Sequence, residues 1–187
     1  MLTPLLVSTG LVALAEIGDK TQLLSLVLAA RFRRPWPIVA GIFVSTLLNH
    51  AAAGALGAWI MHAVGADLMT KVAGASFLAM AAWVLVPDKL DESGAESTAR
   101  HGVFLTTAVL FFLAEMGDKT QVATVVLAAR FDSLWQVVTG TTLGMLIANV
   151  PVVFFGGAMA QRIPLGIVRK VTAAAFAVLG AYALLAS

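Results

Sequence analysis

Leu14-Ala15-Glu16-Ile17-Gly18-Asp19-Lys20-Thr21-Gln22 returns 99 residues later as Leu113-Ala114-Glu115-Met116-Gly117-Asp118-Lys119-Thr120-Gln121. Both copies run on into Val-Leu-Ala-Ala-Arg-Phe, at 27–32 and 126–131. From Leu14 to Phe32, 14 of 19 positions are identical in the second copy. Each copy sets two carboxylates and a lysine inside an apolar stretch, and the reading of that combination decides the fold.

The surroundings of the motif are those of a membrane protein. Of the 187 residues 60% are hydrophobic and only 12% charged, with a mean hydropathy of +0.94. Soluble domains carry about 25% charged residues. The absence of cysteine excludes disulfides, thiol redox chemistry and thiolate metal sites. A net charge of +2 and a pI of 9.3 do not point to nucleic acid, because the basic residues sit in short segments between apolar runs. The N-terminal apolar stretch has no basic segment before it and no cleavage site, and reads as a retained span.

A spanning helix needs about 20 mostly apolar residues. On that criterion the chain holds six spans, at 3–30, 36–62, 67–87, 102–130, 134–160 and 164–186. The separators are Arg31–Pro35, His62–Lys71, Asp88–His101, Arg130–Ser133 and Gln161–Pro164. Pro151 falls inside the fifth span, where a kink is expected. Arg31, Arg33, Arg34, Lys89, Arg100, Arg162, Arg169 and Lys170 lie on one side and only Lys71 and Arg130 on the other. The positive-inside rule then puts the first, third and fifth loops in the cytoplasm and both termini outside.

Each half has an odd number of spans, so the second must enter the membrane from the opposite side. The expected architecture is an all-α integral membrane protein of six transmembrane helices in two inverted three-helix repeats. The first repeat is 1–87, residues 88–101 are a cytoplasmic linker, and 102–187 form the second, inverted repeat. Gly41/Ser45 and Gly140/Gly144 supply small-residue faces for helix packing, within the chain or in a homodimer.

Both motifs then fall near the midplane, where transporters built from inverted repeats hold their substrates. On a continuous helix Glu16, Asp19 and Lys20 share one face, as do Glu115, Asp118 and Lys119. A charge at mid-bilayer costs roughly 2.5–3.5 kcal/mol, so six unpaired charges would cost on the order of 15–20 kcal/mol against a typical total stability of about 5–15. The six must meet one another, water or a bound cation. Four carboxylates and two lysines leave a charge of −2, which one divalent cation or two protons neutralise. The same oxygens can therefore alternate between metal and protons, as exchange requires.

Gly18 and Gly117 permit a local break that frees backbone carbonyls. Thr21, Gln22, Thr120 and Gln121 offer further neutral oxygens. The candidate metal-binding residues are thus Glu16, Asp19, Gln22, Glu115, Asp118 and Gln121, supported by Gly18, Lys20, Thr21, Gly117, Lys119 and Thr120. An all-oxygen set favours hard cations such as Ca²⁺, Mn²⁺ or Mg²⁺. The lysines tune the charge by pairing with acids or occupy the site when metal is absent. Asn49 and Asn149, at similar depth in the two halves, line the path or hydrogen-bond neighbouring helices; His50 has a weaker claim. Trp36, Trp59 and Trp135 near span ends read as interface anchors.

The doubled Glu-x-Gly-Asp-Lys-Thr motif in a six-span chain of this length resembles the Ca²⁺:cation antiporter-2 family, also called the uncharacterised protein family 0016. That family includes the Golgi transmembrane protein 165 and bacterial manganese exporters. The resemblance covers essentially the whole chain, and its motif falls on Glu16, Gly18, Asp19, Lys20 and Thr21 and on Glu115, Gly117, Asp118, Lys119 and Thr120. It implies secondary transport of Mn²⁺ or Ca²⁺ out of the cytoplasm in exchange for protons, with no resident cofactor. The sequence lacks the longer N-terminal region and central loop of the eukaryotic members, which makes a bacterial inner-membrane exporter the better match. Two other readings stay open: export of a small cationic organic solute such as an amino acid, and a non-transporting scaffold held by buried ion pairs. No nucleophile arrangement or phosphate-binding loop favours an enzyme.

Overall fold

A computed structural model of the chain describes residues 2–86, 102–131, 133–156 and 164–185. Within these residues the protein is all helical: α1 (Thr3–Glu16), α2 (Lys20–Phe32), α3 (Pro35–Val64), α4 (Ala66–Val84), α5 (Val103–Glu115), α6 (Lys119–Phe131), α7 (Leu134–Phe155) and α8 (Leu165–Leu185). The expected linker 88–101 lies outside the described residues. By length and composition α3, α7 and α8 are each able to cross a membrane, while α1 and α5 are shorter apolar helices.

Three boundaries differ from the sequence reading, each for a local reason. The stretches 3–30 and 102–130 are not continuous helices. Each breaks at its motif, so that α1 and α2, and α5 and α6, are separate elements. The polar separator 62–71 shrinks to Gly65, whose φ of 84° turns the chain directly from α3 into α4. Arg169 and Lys170 lie within the first turns of α8 rather than in a loop. At the other end of the first half the basic separator behaves as expected. Arg33 adopts φ 52°, returns its N–H to Ala29, and Pro35 starts α3 where an N–H is not needed.

The packing pairs each half with the other. Taking α5, α6, α7 and α8 as counterparts of α1, α2, α3 and α4, α1 packs on α7 as α5 packs on α3. Likewise α2 packs on α7 as α6 packs on α3. The correspondence reaches single residues. A Cβ on Gly41 would lie 2.9 Å from the Phe104 carbonyl oxygen and 2.7 Å from Thr107. One on Gly140 would lie 2.6 Å from the Leu5 carbonyl oxygen and 2.9 Å from Ser8, the positions 99 residues earlier. These glycines bring the helix backbones together inside the chain. At the remaining interface α4 crosses α8 at Gly74 and Gly180, with Phe77 and Phe176 packed 6.2 Å apart between centroids.

The α4–α8 pair is not centred. It leans on α6 through α4 and on α1 through α8, and among the described residues it makes no more than glancing contact with α2 and α5. One apolar cluster fills this junction, including Leu11, Phe77, Met80, Val126, Leu127 and Phe176. A second joins α1, α2, α3, α5 and α7 around Leu28, Ile42, Phe111 and Met145. The polar motifs lie between them.

Candidate metal centre

The two breaks are built alike. In the first, Ile17 leaves the helix with ψ 113° and Gly18 takes φ 81°, a conformation that disfavours any residue with a Cβ. Asp19 donates its N–H to the Glu16 carbonyl at 3.1 Å and its carbonyl accepts from Leu23 at 3.2 Å, which starts α2. In the second, Gly117 takes φ 73°, Asp118 donates to Glu115 at 3.0 Å, and Val122 donates to Asp118 at 3.0 Å. Breaking the helix here leaves each glutamate on the last turn of one helix and each aspartate just ahead of the next. The glutamate and aspartate of one copy are therefore held by different helices.

The charges then pair across copies. Lys119 Nζ donates to Asp19 Oδ1 at 3.0 Å, and Lys20 Nζ lies 3.1 Å from Asp118 Oδ1. Lys119 and all four carboxylates are buried, whereas the Lys20 side chain keeps 24% of its exposure. Each glutamate is steadied by its own copy: Thr21 Oγ1 donates to Glu16 Oε2 and Thr120 Oγ1 to Glu115 Oε1. Oxygens of Glu16, Asp19 and Asp118 come within 4.8 Å of one another, a spacing that could hold a metal ion. Glu16 Oε1, Glu115 Oε2 and Asp118 Oδ2 are buried without a hydrogen-bond partner among the described residues. A buried carboxylate oxygen without a partner is costly unless a cation or proton meets it. The cluster carries four carboxylates and two ammoniums.

In comparison with known proteins, the family model described as divalent cation/proton antiporter GDT1 matches residues 4–92 and 103–187. The chain belongs to the GDT1 family. A Vibrio cholerae protein named "Putative manganese exporter" is 53% identical over 177 residues, spanning 94% of this chain and 88% of that protein. GDT1-like protein sll0615 of Synechocystis is 29% identical over 183 residues, 87% of each chain. GDT1-like protein 4 of Oryza sativa subsp. indica is 25% identical over 189 residues, covering 66% of that protein. No solved structure matches the chain. The GDT1 proteins are membrane transporters of divalent cations, not enzymes.

Within this GDT1 chain the structure gives some predicted residues other duties. Gln22 Oε1 accepts from the Gly18 N–H at 2.8 Å while its Nε2 donates to the Ala148 carbonyl at 3.0 Å. Gln121 Oε1 accepts from the Gly117 N–H at 2.7 Å and its Nε2 donates to Asn49 Oδ1 at 3.3 Å. Both glutamines thus brace the breaks. Asn49 Nδ2 donates to the Phe112 carbonyl at 3.1 Å, fixing the end of α5. Asn149 accepts from Ser25 Oγ at 2.7 Å and donates to the Met145 carbonyl at 3.0 Å, tying α7 to α2. The pairing of Asn49 with Asn149 is displaced by one: the 99-residue register of the motifs sets His50, not Asn49, opposite Asn149. His50 is fully buried, and its Nε2 lies 3.5 Å from Glu115 Oε1. Arg169 and Thr172 of α8 line a cleft with Gly18, Asp19 and Lys119, and Thr172 donates to the Leu14 carbonyl at 3.1 Å.

Proposed function

We propose that this chain exports a divalent cation, Mn²⁺ or Ca²⁺, from the cytoplasm of a bacterium across its inner membrane in exchange for protons. The observation that carries the proposal is the cross-paired cluster: four buried carboxylates, two from each copy, meet two lysines, and among the described residues Glu16, Glu115 and Asp118 each keep an oxygen without a hydrogen-bond partner. The local charge of −2 accepts one divalent cation, or two protons in its place. A metal held by Glu16, Asp19 and Asp118 would compete with Lys119 and Lys20 for the aspartates, so binding and lysine release are one event.

The same reading treats α1–α2 and α5–α6 as broken spans in a six-span inverted repeat with both termini outside. α1 and α6 then form the outer half of the site and α2 and α5 the cytoplasmic half. The α4–α8 pair covers the outer half, which leaves this conformation receptive from the cytoplasm. The surroundings of the two motif glycines support this reading. Leu165 sits over Gly18, where an added Cβ would lie 2.5 Å from its Cδ2, while nothing stands within 4 Å of the same point on Gly117.

The test is cation uptake into inside-out vesicles containing the purified protein, with and without an acid lumen. Mn²⁺ and Ca²⁺ are compared, with Glu16→Gln and Glu115→Gln beside the wild type. Uptake driven by the proton gradient and reduced at least a hundredfold by either substitution is the expected result. Absence of flux of either ion through folded wild-type protein would overturn the proposal and turn attention to organic cations.

A further inference from the structure

The function above is read from oxygen ligands, yet a histidine stands beside one of the carboxylates. His50, in the middle of α3, is fully buried and lies within Coulombic reach of Glu16 as well as beside Glu115. Its Nε2 is 3.5 Å from Glu115 Oε1, longer than the roughly 2.7–3.2 Å of a hydrogen bond. Its Nδ1 is buried with no hydrogen-bond partner among the described residues. An imidazole kept only for packing would leave both nitrogens poorly satisfied, a cost an apolar residue of like shape would avoid. Donors at bond lengths of about 2.1–2.4 Å and right angles on one metal stand about 3.0–3.4 Å apart, close to the separation found.

The other half of the chain provides the contrast. In the 99-residue register Asn149 takes the place of His50, and its amide is spent on Ser25 and Met145. Among the described residues an imidazole is therefore offered in one half only, beside Glu115, while the oxygens of Glu16, Asp19 and Asp118 form a separate close group. Ca²⁺ and Mg²⁺ take oxygen ligands, whereas imidazole is a donor to transition metals.

We propose that His50 is a metal ligand which, paired with Glu115, makes this transporter prefer Mn²⁺ to Ca²⁺. The inference rests on the divalent-cation reading of the cluster and adds to it the basis of selection. An all-oxygen cage would bind both ions with little distinction. One imidazole shifts the balance toward the ion that accepts nitrogen.

Two measurements test it. Electron spin-echo modulation of Mn²⁺ bound to the wild-type protein reads directly whether ¹⁴N lies in the coordination sphere. The expected result is a directly coordinated nitrogen, lost in His50→Asn, the residue its counterpart already uses, and in His50→Gln. In vesicles the same variants should lower the ratio of Mn²⁺ to Ca²⁺ uptake about tenfold or more, since even residues behind a metal's ligands alter affinity by about 10–100-fold. No nitrogen coupling in wild type, or an unchanged ratio in a folded variant, overturns the assignment. Neither result touches the export proposal, which fails separately if wild type carries no divalent cation. The spin-echo measurement on wild type stands even if both variants misfold.

Discussion

Lys119 and Lys20 make the same bond to opposite aspartates, yet they are not equivalent. Lys119 is buried, and replacing it with Met removes the ammonium that donates to buried Asp19. Loss of one partner of a buried pair costs about 3–5 kcal/mol. Lys20 keeps a quarter of its side-chain exposure, so water can answer for it at Asp118. We expect Lys119→Met to lower the unfolding midpoint in detergent well below that of Lys20→Met, and added Mn²⁺ to recover most of the difference by replacing the missing charge. Equal losses would mean that the exposure of Lys20 does not matter. The candidate charges themselves were legible in the sequence, because six ionisable groups in apolar spans have few places to go. The exchange of lysines between copies was not, since spacing along the chain says nothing about which copy faces which. The bracing role of the glutamines was not legible either, because the Gly N–H that each oxygen accepts from is exposed only by the break.

At the scale of elements, the broken helices matter most. A continuous helix would set Glu16, Asp19 and Lys20 on one face. Gly18 and Gly117 permit a break instead, and the positive φ at both glycines is that break. The polar stretch around Gly65 was misjudged because Asp67 and Lys71 fit on the exposed side of α4, so composition suggested a loop where helix continues. The two motif glycines lead to a comparison. A Cβ at either residue meets the left-handed backbone penalty of roughly 1–2 kcal/mol. Only at Gly18 does it also strike a side chain, that of Leu165. Gly18→Ala should therefore destabilise more than Gly117→Ala in thermal unfolding, and Leu165→Ala should restore part of the loss in the first case and none in the second. Equal effects without rescue would place the cost in the backbone alone.

Across the whole molecule, the halves match at α1 on α7 and α5 on α3, and differ in how the α4–α8 pair leans. If the pair rocks to the other half, each contact it makes now is exchanged for its counterpart 99 residues away. The present contact of Thr172 with Leu14 would become one of Ala73 with Leu113, which is now exposed. The chain has no cysteine, so paired substitutions have no background. Leu14→Cys with Thr172→Cys should join through a short bis-thiol reagent in the state described. Leu113→Cys with Ala73→Cys should join only once a proton gradient or saturating cation repopulates the other state. Failure of the second pair under every condition would argue against exchange of the halves. The six-span count and the inverted repeat were drawn from hydropathy and basic residues. The off-centre seat of α4 and α8 had no such signal, because two equivalent docking faces look alike in the sequence of a repeat.

The crossed lysines also bear on speed. If the cluster carries a cation as proposed, each aspartate holds, on a short tether, an ammonium that would return as soon as the metal left. A tethered competitor acts at an effective concentration of the order of millimolar or more, so the cation would never be held as tightly as bare carboxylates would hold it. A carrier of this kind gives up affinity and gains quick release. It would idle while its cargo is scarce and cycle rapidly when the ion accumulates, drawing its set point from two side chains it already contains.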